Sequence, residues 1–171
     1  MGSILVRHEQ ADDETAIARL NDAAFGQPDE SRIVDAIRLA GHSTISLVAT
    51  DGPTIVGHIL FTPVDLEAPG PAIPVMALGP MSVLPTVQRR GVGSKLVEEG
   101  LGECKQLGYQ AVVVVGHPAF YPRFGFRPAS SYGIRSDYRV PDDVFMVIEL
   151  VPGSLNGRSG RVRYLEEFGS G

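Results

Sequence analysis

The chain lacks a long hydrophobic run and has a single cysteine among its 171 residues. Its apolar stretches stay well short of the roughly 18 residues that a membrane-spanning helix needs, and no basic segment followed by an apolar core opens the sequence. One cysteine excludes an internal disulfide and a cysteine-rich metal site, and it suits a reducing compartment. We therefore expect a cytoplasmic protein without a membrane anchor.

Positive charge is also scarce, because 15 Lys and Arg stand against 20 Asp and Glu, for a net charge of −5. Nucleic acids and anionic membranes favour a broad basic surface, so neither is expected as a partner. The 43% of hydrophobic residues can form a substantial core. We expect one domain over residues 1–151 and a Gly/Ser-rich tail over residues 152–171 that could hold a short final strand.

Apolar periodicity divides the chain into short strands and amphipathic helices. Short β-branched runs predict strands, and apolar residues three to four positions apart predict helices. The expected strands are residues 3–8, 45–49, 54–61, 75–84, 111–115 and 144–150. A first helix is expected after a cap at Asp12 or Asp13, with Ile17, Leu20 and Ala24 on its apolar face, and further helices are expected at residues 29–40, 91–107 and 118–124. Residues 65–74 contain three prolines and are expected to form a loop.

The strand expected at residues 75–84 is interrupted by Gly79-Pro80. Proline cannot donate to a strand ladder, so we predict a bulge where pairing is lost and neighbouring strands splay apart. The strand at residues 111–115 follows a helix, so it should run parallel to the strand at residues 75–84, connected to it by a right-handed crossover. These features predict an α+β fold, with a mixed, mostly antiparallel central sheet, a splayed parallel strand pair and flanking helices.

A glycine turn, Gln88-Arg89-Arg90-Gly91-Val92-Gly93, leads from the interrupted strand into the next helix. The glycines let the backbone turn tightly, and the start of a helix offers N–H groups with a partial positive charge. Arg89, Arg90 and Lys95 add positive charge. An anion site is therefore predicted at this turn.

Two familiar nucleotide motifs do not fit this turn. A Walker loop needs Gly-Lys-Ser/Thr, whereas Gly93 is followed by Ser94 and Lys95. The dinucleotide fingerprint needs Gly or Ala where Leu96 stands. A phosphate-loop nucleotide hydrolase is disfavoured accordingly.

Two motifs in the expected order resemble those of the GCN5-related N-acetyltransferase (GNAT) family. Residues 88–93 match that family's Q/R-x-x-G-x-G/A acyl-CoA motif, and Phe120-Tyr-Pro-Arg-Phe-Gly-Phe126 is similar to its aromatic-Tyr-x-x-Leu/Phe-Gly-Phe segment. The resemblance covers most of the chain. It implies the acyl-CoA N-acyltransferase fold and transfer of an acetyl group from acetyl-CoA to a primary amine, with coenzyme A as the carrier and no metal.

The resemblance also implies which residues hold the co-substrate. The loop amides would bind the pyrophosphate of coenzyme A, and the pantetheine arm would pair with the interrupted strand. The implied binding residues are Met81, Ser82, Val83, Gln88, Arg89, Arg90, Gly91, Val92, Gly93 and Ser94. A main-chain N–H near Val83 would polarise the thioester carbonyl.

Tyr121 is the implied catalytic residue, because the tyrosine four positions before the Gly-Phe pair often protonates the leaving thiolate in that family. A phenol is a neutral hydrogen-bond donor at pH 7, which fits this role. The alternative is an aromatic packing residue beside Phe120, Phe124 and Phe126.

The general base stays open between His117, Glu67 and a chain of water molecules. His117 follows the strand at residues 111–115 and carries an imidazole, the usual base near neutral pH. A histidine that fixes the turn before Pro118 is an equally good interpretation. Glu67 lies in the expected loop, where it could attract a cationic acceptor or simply be solvated.

The acceptor is expected to be a small-molecule or peptide amine, bound together with acetyl-CoA in a ternary complex. Direct transfer is expected because no cysteine is placed to act as a nucleophile. A non-catalytic acyl-CoA-binding or regulatory module of the same fold is the alternative. The strand at residues 144–150 could pair between two copies, so a homodimer is a further expectation.

Overall fold

The computed structural model describes residues 3–169, which form nine β-strands and three α-helices. No helix in this range is long and apolar enough to cross a membrane. The helices are α1 Glu14–Phe25, α2 Asp29–Ala40 and α3 Val92–Gln106. The strands are β1 Ile4–His8, β2 Ile45–Asp51, β3 Thr54–Glu67, β4 Val75–Val83, β5 Ala111–Val115, β6 Arg127–Pro128, β7 Ile134–Ser136, β8 Phe145–Glu149 and β9 Gly160–Arg163.

The strands form a mixed sheet in the order β1-β2-β3-β4-β5-β8-β6, and β9 pairs with both β3 and β7. β4 and β5 run parallel, with Val75 opposite Ala111 and Leu78 opposite Val114, and β7 and β9 are also parallel. The pairs β1–β2, β2–β3, β3–β9, β5–β8 and β6–β8 are antiparallel. The α+β class with a mixed, mostly antiparallel sheet is therefore confirmed.

The chain divides into two compact units, and β3, β4 and α3 each contribute residues to both. The described part of the first unit comprises residues 3–61 and 80–100. In this unit Gly100 of α3 lies against the ring of Phe61, and a Cβ at that position would overlap the ring. Close packing of helix on strand therefore requires a glycine here, although its backbone has no unusual φ.

The second unit comprises residues 62–79 and 101–169 of the described chain. Its core is built mostly from apolar side chains on the strands, joined by Ala129 from a 3-10 turn and Leu155 from the C-terminal segment. The buried members are Val64, Val75, Ala77, Ala111, Val113, Ala129, Ile134, Phe145, Val147, Leu155 and Val162. Cys104 of α3 is also fully buried, and burial raises the pKa of its thiol to about 12. This cysteine is a small core residue.

β3 is longer than the sequence predicts, because it continues to Glu67 instead of ending at Phe61. Asp65, Leu66 and Glu67 pair with β9, a strand almost one hundred residues away. The Glu67 carboxylate also forms ion pairs with Arg161 at 3.0 Å and Arg163 at 2.7 Å. The expected loop at residues 65–67 is therefore wrong, since a distant strand supplies the ladder that local sequence does not reveal.

The helix expected at residues 118–124 is only a 3-10 turn, Tyr121–Phe124. The main-chain N–H groups of Phe120 and Tyr121 both donate to the carbonyl of His117, which closes a turn rather than starting a long helix. Gly125, at φ +105°, ends the segment. The short strands β6 and β7, which follow it, had no recognisable signal in the sequence.

The C-terminal segment is tied to the rest of the second unit. Leu155 is 2% exposed, and its N–H donates to Glu149 Oε2 at 2.9 Å. Arg158 donates to the carbonyl oxygens of Pro69 and Pro71. These bonds and the pairing of β9 order the segment despite its glycine and serine content.

β8 lies between β5 and β6, so Met146 and Val147 have strand partners on both sides within one chain. Pairing of this strand between two copies would have to displace those internal partners. A homodimer stays a prediction that this strand does not support.

The side chains of Arg38, Glu9, Ser46 and His58 form a chain of hydrogen bonds in the first unit. Arg38 donates through Nε and Nη2 to the two carboxylate oxygens of Glu9, both at 3.0 Å, and Ser46 Oγ donates to Glu9 Oε1 at 2.7 Å. His58 Nε2 lies 2.9 Å from Ser46 Oγ. Because Ser46 gives its proton to Glu9, His58 is the donor to Ser46.

This arrangement leaves His58 Nδ1 as an acceptor that has no hydrogen-bond partner among residues 3–169. Burial lowers the pKa of His58 to about 4, because the nearby Glu9 carboxylate, which raises it, does not offset desolvation and the Arg38 charge. Burial also raises the pKa of Glu9, but the hydrogen bonds from Arg38 and Ser46 outweigh it and leave that pKa below its usual range. At neutral pH the histidine is uncharged and the carboxylate is ionised.

We expect the free energy of unfolding to fall as the pH is lowered from 6.5 to 4.5. In this window unfolded His58 takes up a proton, whereas folded His58 does so only near pH 4, so acid favours the unfolded chain. The expected loss is about 2–3 kcal/mol, from about 1.4 kcal/mol per pH unit. Urea unfolding of the wild type and His58→Gln across this range measures the effect.

The His58→Gln variant should lose this part of the pH dependence, because the amide can still donate to Ser46 but does not titrate. Thr62→Val is the matched control, since the Thr62 hydroxyl is also buried without a partner in the described chain. That variant should keep the wild-type slope. An unchanged slope in His58→Gln would contradict the assignment.

Candidate active site

The loop that leads into α3 and the first turn of α3 present main-chain N–H groups. The first bond of the helix type at this end is donated by Lys95 N to the carbonyl of Gly91, at 3.0 Å. The N–H groups of Val92, Gly93 and Ser94 come earlier than this bond and have no carbonyl one turn before them within the helix. The positive end of the helix dipole adds to them, so the loop favours an anion.

The backbone of this loop is held in an uncommon conformation. Gly91 has φ +80°, and Arg89, at φ +66°, is the one non-glycine residue with positive φ among residues 3–169. Such a conformation costs a side-chain-bearing residue roughly 1–2 kcal/mol. A Cβ added to Gly91 would meet no atom within 4 Å. Gly91 is therefore required by the backbone turn, and the space beside it is open.

The polar side chains of the loop and of the start of α3 make different contacts. Gln88 Nε2 donates to the carbonyl of Val83 at 3.1 Å, which ties the loop to β4. Lys95 Nζ donates to the carbonyl of Ile4 at 2.6 Å. The Lys95 ammonium is thus directed to β1, and its contribution to the anion site stays a prediction. Arg89 is exposed on the loop.

β4 changes its pairing where the sequence predicts the interruption. The parallel register with β5 ends at Leu78, directly before Gly79, which has φ +144°. Beyond this point the strand continues to Val83, and Leu84 N donates to the carbonyl of Val56 at 2.9 Å. The predicted binding residues Met81, Ser82 and Val83 occupy this last part of β4.

Ser82 is the buried member of this segment and is held by a residue that the sequence did not single out. Its hydroxyl donates to Asn21 Oδ1 at 2.8 Å, and both side chains are buried. Asn21 Nδ2 is buried without a hydrogen-bond partner within the described range. Asn21 follows Ile17 and Leu20 on the apolar face of α1, and a polar residue on such a face was the available signal.

Tyr121 is enclosed by aromatic rings in the second unit. Its ring makes edge contacts with Phe120 and Phe126, at centroid distances of 5.0 and 5.6 Å, and the residue is 7% exposed. Burial raises the pKa of the phenol to about 12, so Tyr121 keeps its proton at neutral pH. The ring packs as the packing interpretation expects, and the role of the hydroxyl as a proton donor stays a prediction.

The two side chains considered as the general base, Glu67 and His117, have different surroundings in the structure. Glu67 is engaged by Arg161 and Arg163, so its carboxylate is committed to ion pairs of the second unit and the expectation that it serves as a base is not supported. His117 is exposed, and its main-chain carbonyl holds the turn that leads to Tyr121. No cluster of three or more metal-ligating side chains occurs within residues 3–169.

A family model and two relatives that match this chain are all acetyltransferases. Residues 5–129 match the family model of the acetyltransferase (GNAT) domain. The chain is 34% identical over 166 residues to the uncharacterized N-acetyltransferase YhbS of Escherichia coli strain K12, which covers 96% of this chain and 98% of YhbS. It is 32% identical to the N-acetyltransferase YjhQ of the same strain over 77% of this chain and 74% of YjhQ.

Solved structures agree with these matches. The crystal structure of YhbS from Escherichia coli in complex with CoA gives a TM-score of 0.92 at 34% identity, over 98% of this chain and 93% of that one. A GNAT family acetyltransferase from Brucella melitensis in complex with acetyl-CoA gives 0.80 at 32% identity, over 98% and 99% of the two chains.

The buried contact between Ser82 and Asn21 generates a prediction about stability. Ser82→Ala should lower the free energy of unfolding by about 1–3 kcal/mol, because it leaves a buried amide oxygen without a donor. Adding Asn21→Leu should restore part of the loss, since both polar groups are then gone. A double-mutant cycle measured by urea unfolding gives the coupling energy.

Ser131→Ala is the control for this cycle. Its exposed hydroxyl also donates to a carbonyl, that of Pro128, but water can replace the bond. Additive effects of Ser82→Ala and Asn21→Leu would show that the two side chains do not stabilise the fold as a pair.

Proposed function

Because the chain belongs to the GNAT family of acetyltransferases, we propose that it transfers an acetyl group from acetyl-CoA directly to a primary amine. Both substrates are bound at once in this proposal. The observation that carries it is the segment of residues 88–93, in which a positive-φ turn leads into the first turn of α3, whose N–H groups have no carbonyl one turn before them within the helix. Two relatives of about one-third identity are described in complexes with CoA and acetyl-CoA, which supports the same co-substrate here.

The proposed binding mode follows from the main chain. The N–H groups of Arg89 to Ser94 hold the pyrophosphate, because a helix N-terminus stabilises an anion without needing a matching side-chain charge. Met81, Ser82 and Val83 offer strand main chain, with which the amides of the pantetheine arm pair as an added strand would. Gln88 supports this geometry by fixing the loop to Val83.

The proposed reaction makes an amide bond and breaks a thioester. The nitrogen of a neutral amine attacks the acetyl carbonyl, whose oxygen the Val83 N–H stabilises as it becomes negative. The carbon–sulfur bond breaks, Tyr121 gives its proton to the leaving thiolate, and the amine gives up one proton. The products are the acetylated amine and free CoA thiol. His117 or water carries the proton away from the amine.

A covalent acyl-enzyme is not part of the proposal. Cys104 is fully buried in the core, and burial raises its thiol pKa to about 12, so the thiolate that would attack an acyl group is not formed at neutral pH. Direct transfer needs no such nucleophile. The acceptor is a small-molecule or peptide amine, and the link between α1 and α2, residues 25–29, is proposed to cover its side of the site. The cytoplasm is the proposed location.

Acetyl-CoA should bind saturably in isothermal titration calorimetry, whereas ATP, which shares the phosphates but lacks pantetheine, should bind at least about tenfold more weakly. Gly91→Ala should weaken acetyl-CoA binding about tenfold, because the loop needs φ +80° at this position. Gly102→Ala, an exposed α3 position with open space around it, is the matched control. Absence of saturable acetyl-CoA binding would refute the proposal.

Thiol release from acetyl-CoA across a panel of primary amines tests the reaction itself. Tyr121→Phe should reduce turnover about a hundredfold with little effect on acetyl-CoA affinity, because it removes the proton and keeps the ring. Tyr109→Phe removes a phenol elsewhere in the second unit and should retain the wild-type rate. Tight acetyl-CoA binding without thiol release for any amine would favour a non-catalytic binding module.

A further inference from the structure

The ring of Tyr121 lies directly on the main chain of Gly116. Gly116 is the first residue after β5, and its N–H donates to the carbonyl of Val144 at 2.9 Å, which extends the strand ladder by one residue. A Cβ at this position would lie 2.9 Å from Tyr121 Cδ2 and closer still to Cε2. Real side chains do not make such contacts, so the ring occupies the space that a side chain at residue 116 would need.

This requirement for glycine is one of space and not of backbone conformation. The φ of Gly116 lies outside the left-handed region that favours glycine, so alanine can adopt the same main-chain angles. The bond to Val144 anchors the main chain at this point. Any larger residue at 116 must therefore be accommodated by movement of the Tyr121 ring.

The remaining contacts define where the ring can go. Phe120 and Phe126 touch it edge to face, and the carbonyl of His117 holds the turn through the N–H groups of Phe120 and Tyr121. The turn returns the chain after five residues, which brings the Tyr121 ring back over Gly116. The position of the phenol is thus set by two aromatic rings and by the absence of a side chain at 116.

We infer that Gly116 is a positioning residue that sets the location of the Tyr121 hydroxyl for proton transfer to the leaving thiolate. The inference rests on the proposed acid role of Tyr121. Gly116 does not contact the substrate in this proposal. It acts indirectly, because its lack of a side chain leaves room for the Tyr121 ring. A displacement of about 1 Å can reduce a rate on the order of a hundredfold.

The test compares Gly116→Ala with Gly102→Ala, the exposed α3 glycine at which a Cβ meets no neighbour. Thiol release is measured with the most active amine of the panel, or with water as acceptor if no amine is active. Gly116→Ala should lower kcat roughly ten- to a hundredfold and leave the acetyl-CoA dissociation constant unchanged. In the Tyr121→Phe background, Gly116→Ala should lower kcat little further, because the hydroxyl proton that it would displace is already absent.

A second measurement follows the ring itself. Protein labelled with ring-carbon-13 tyrosine gives one signal for each of the five tyrosines, and Tyr121→Phe identifies the signal of Tyr121. This signal should shift in Gly116→Ala and stay in place in Gly102→Ala. If Gly116→Ala does not fold, both measurements are made on Gly116→Ala with Phe120→Leu, which vacates space beside the ring.

The outcomes separate the two claims. If Tyr121→Phe loses activity while Gly116→Ala keeps the wild-type kcat, or if the Tyr121 signal does not move, the positioning role is overturned and the acid role stands. If Tyr121→Phe keeps the wild-type rate, the acid role fails and the inference fails with it. A lower melting temperature in Gly116→Ala with an unchanged kcat identifies a purely structural contact and also overturns the inference.

Discussion

The candidate site depends on the end of strand pairing within β4. Its parallel register with β5 stops at Leu78, and the strand continues through Gly79 and Pro80 to Val83. Main-chain N–H and C=O groups of a strand must be paired somewhere, and a strand edge that has lost its neighbour on one side is a template for an extended, amide-bearing ligand. The same strand then leads into the positive-φ turn before α3. A single chain segment therefore supplies both of the features that the proposed co-substrate needs.

An incompletely paired strand has to be held in place by other contacts. In the first unit these are the bond from Leu84 N to Val56, the bond from Gln88 to Val83, and the buried bond from Ser82 to Asn21. The last of these is a polar contact in an apolar environment, where geometry is strict because an unpaired partner is costly. Hydrogen bonds of this kind restrict the position of β4 more strictly than hydrophobic packing alone does.

The predictable parts of this fold are those encoded by neighbouring residues. The limits of α2 and β5, the crossover through α3, the glycine turn and the interruption at Gly79-Pro80 all follow from local periodicity and from the special conformations of glycine and proline. What could not be predicted depends on distant residues. β3 is extended by β9, and Lys95 is directed to the carbonyl of Ile4. The local sequence pattern predicts neither the strand that pairs with the end of β3 nor the direction of the Lys95 side chain.

The high pKa of Tyr121 limits how it can act. A phenol with a pKa near 12 is a weaker acid than an ordinary thiol, whose pKa is about 8.5, so it cannot remain ionised after giving its proton to the thiolate. In the proposed reaction, proton transfer from Tyr121 is therefore coupled to the loss of a proton from the amine, which becomes acidic as it bonds to the carbonyl carbon. The two proton movements balance when the proton that His117 or water takes from the amine returns to the Tyr121 phenolate. Burial of the ring makes the phenol a poor acid in isolation. Under the proposed mechanism, Tyr121 would therefore give up its proton only in the ternary complex, where the amine also loses one.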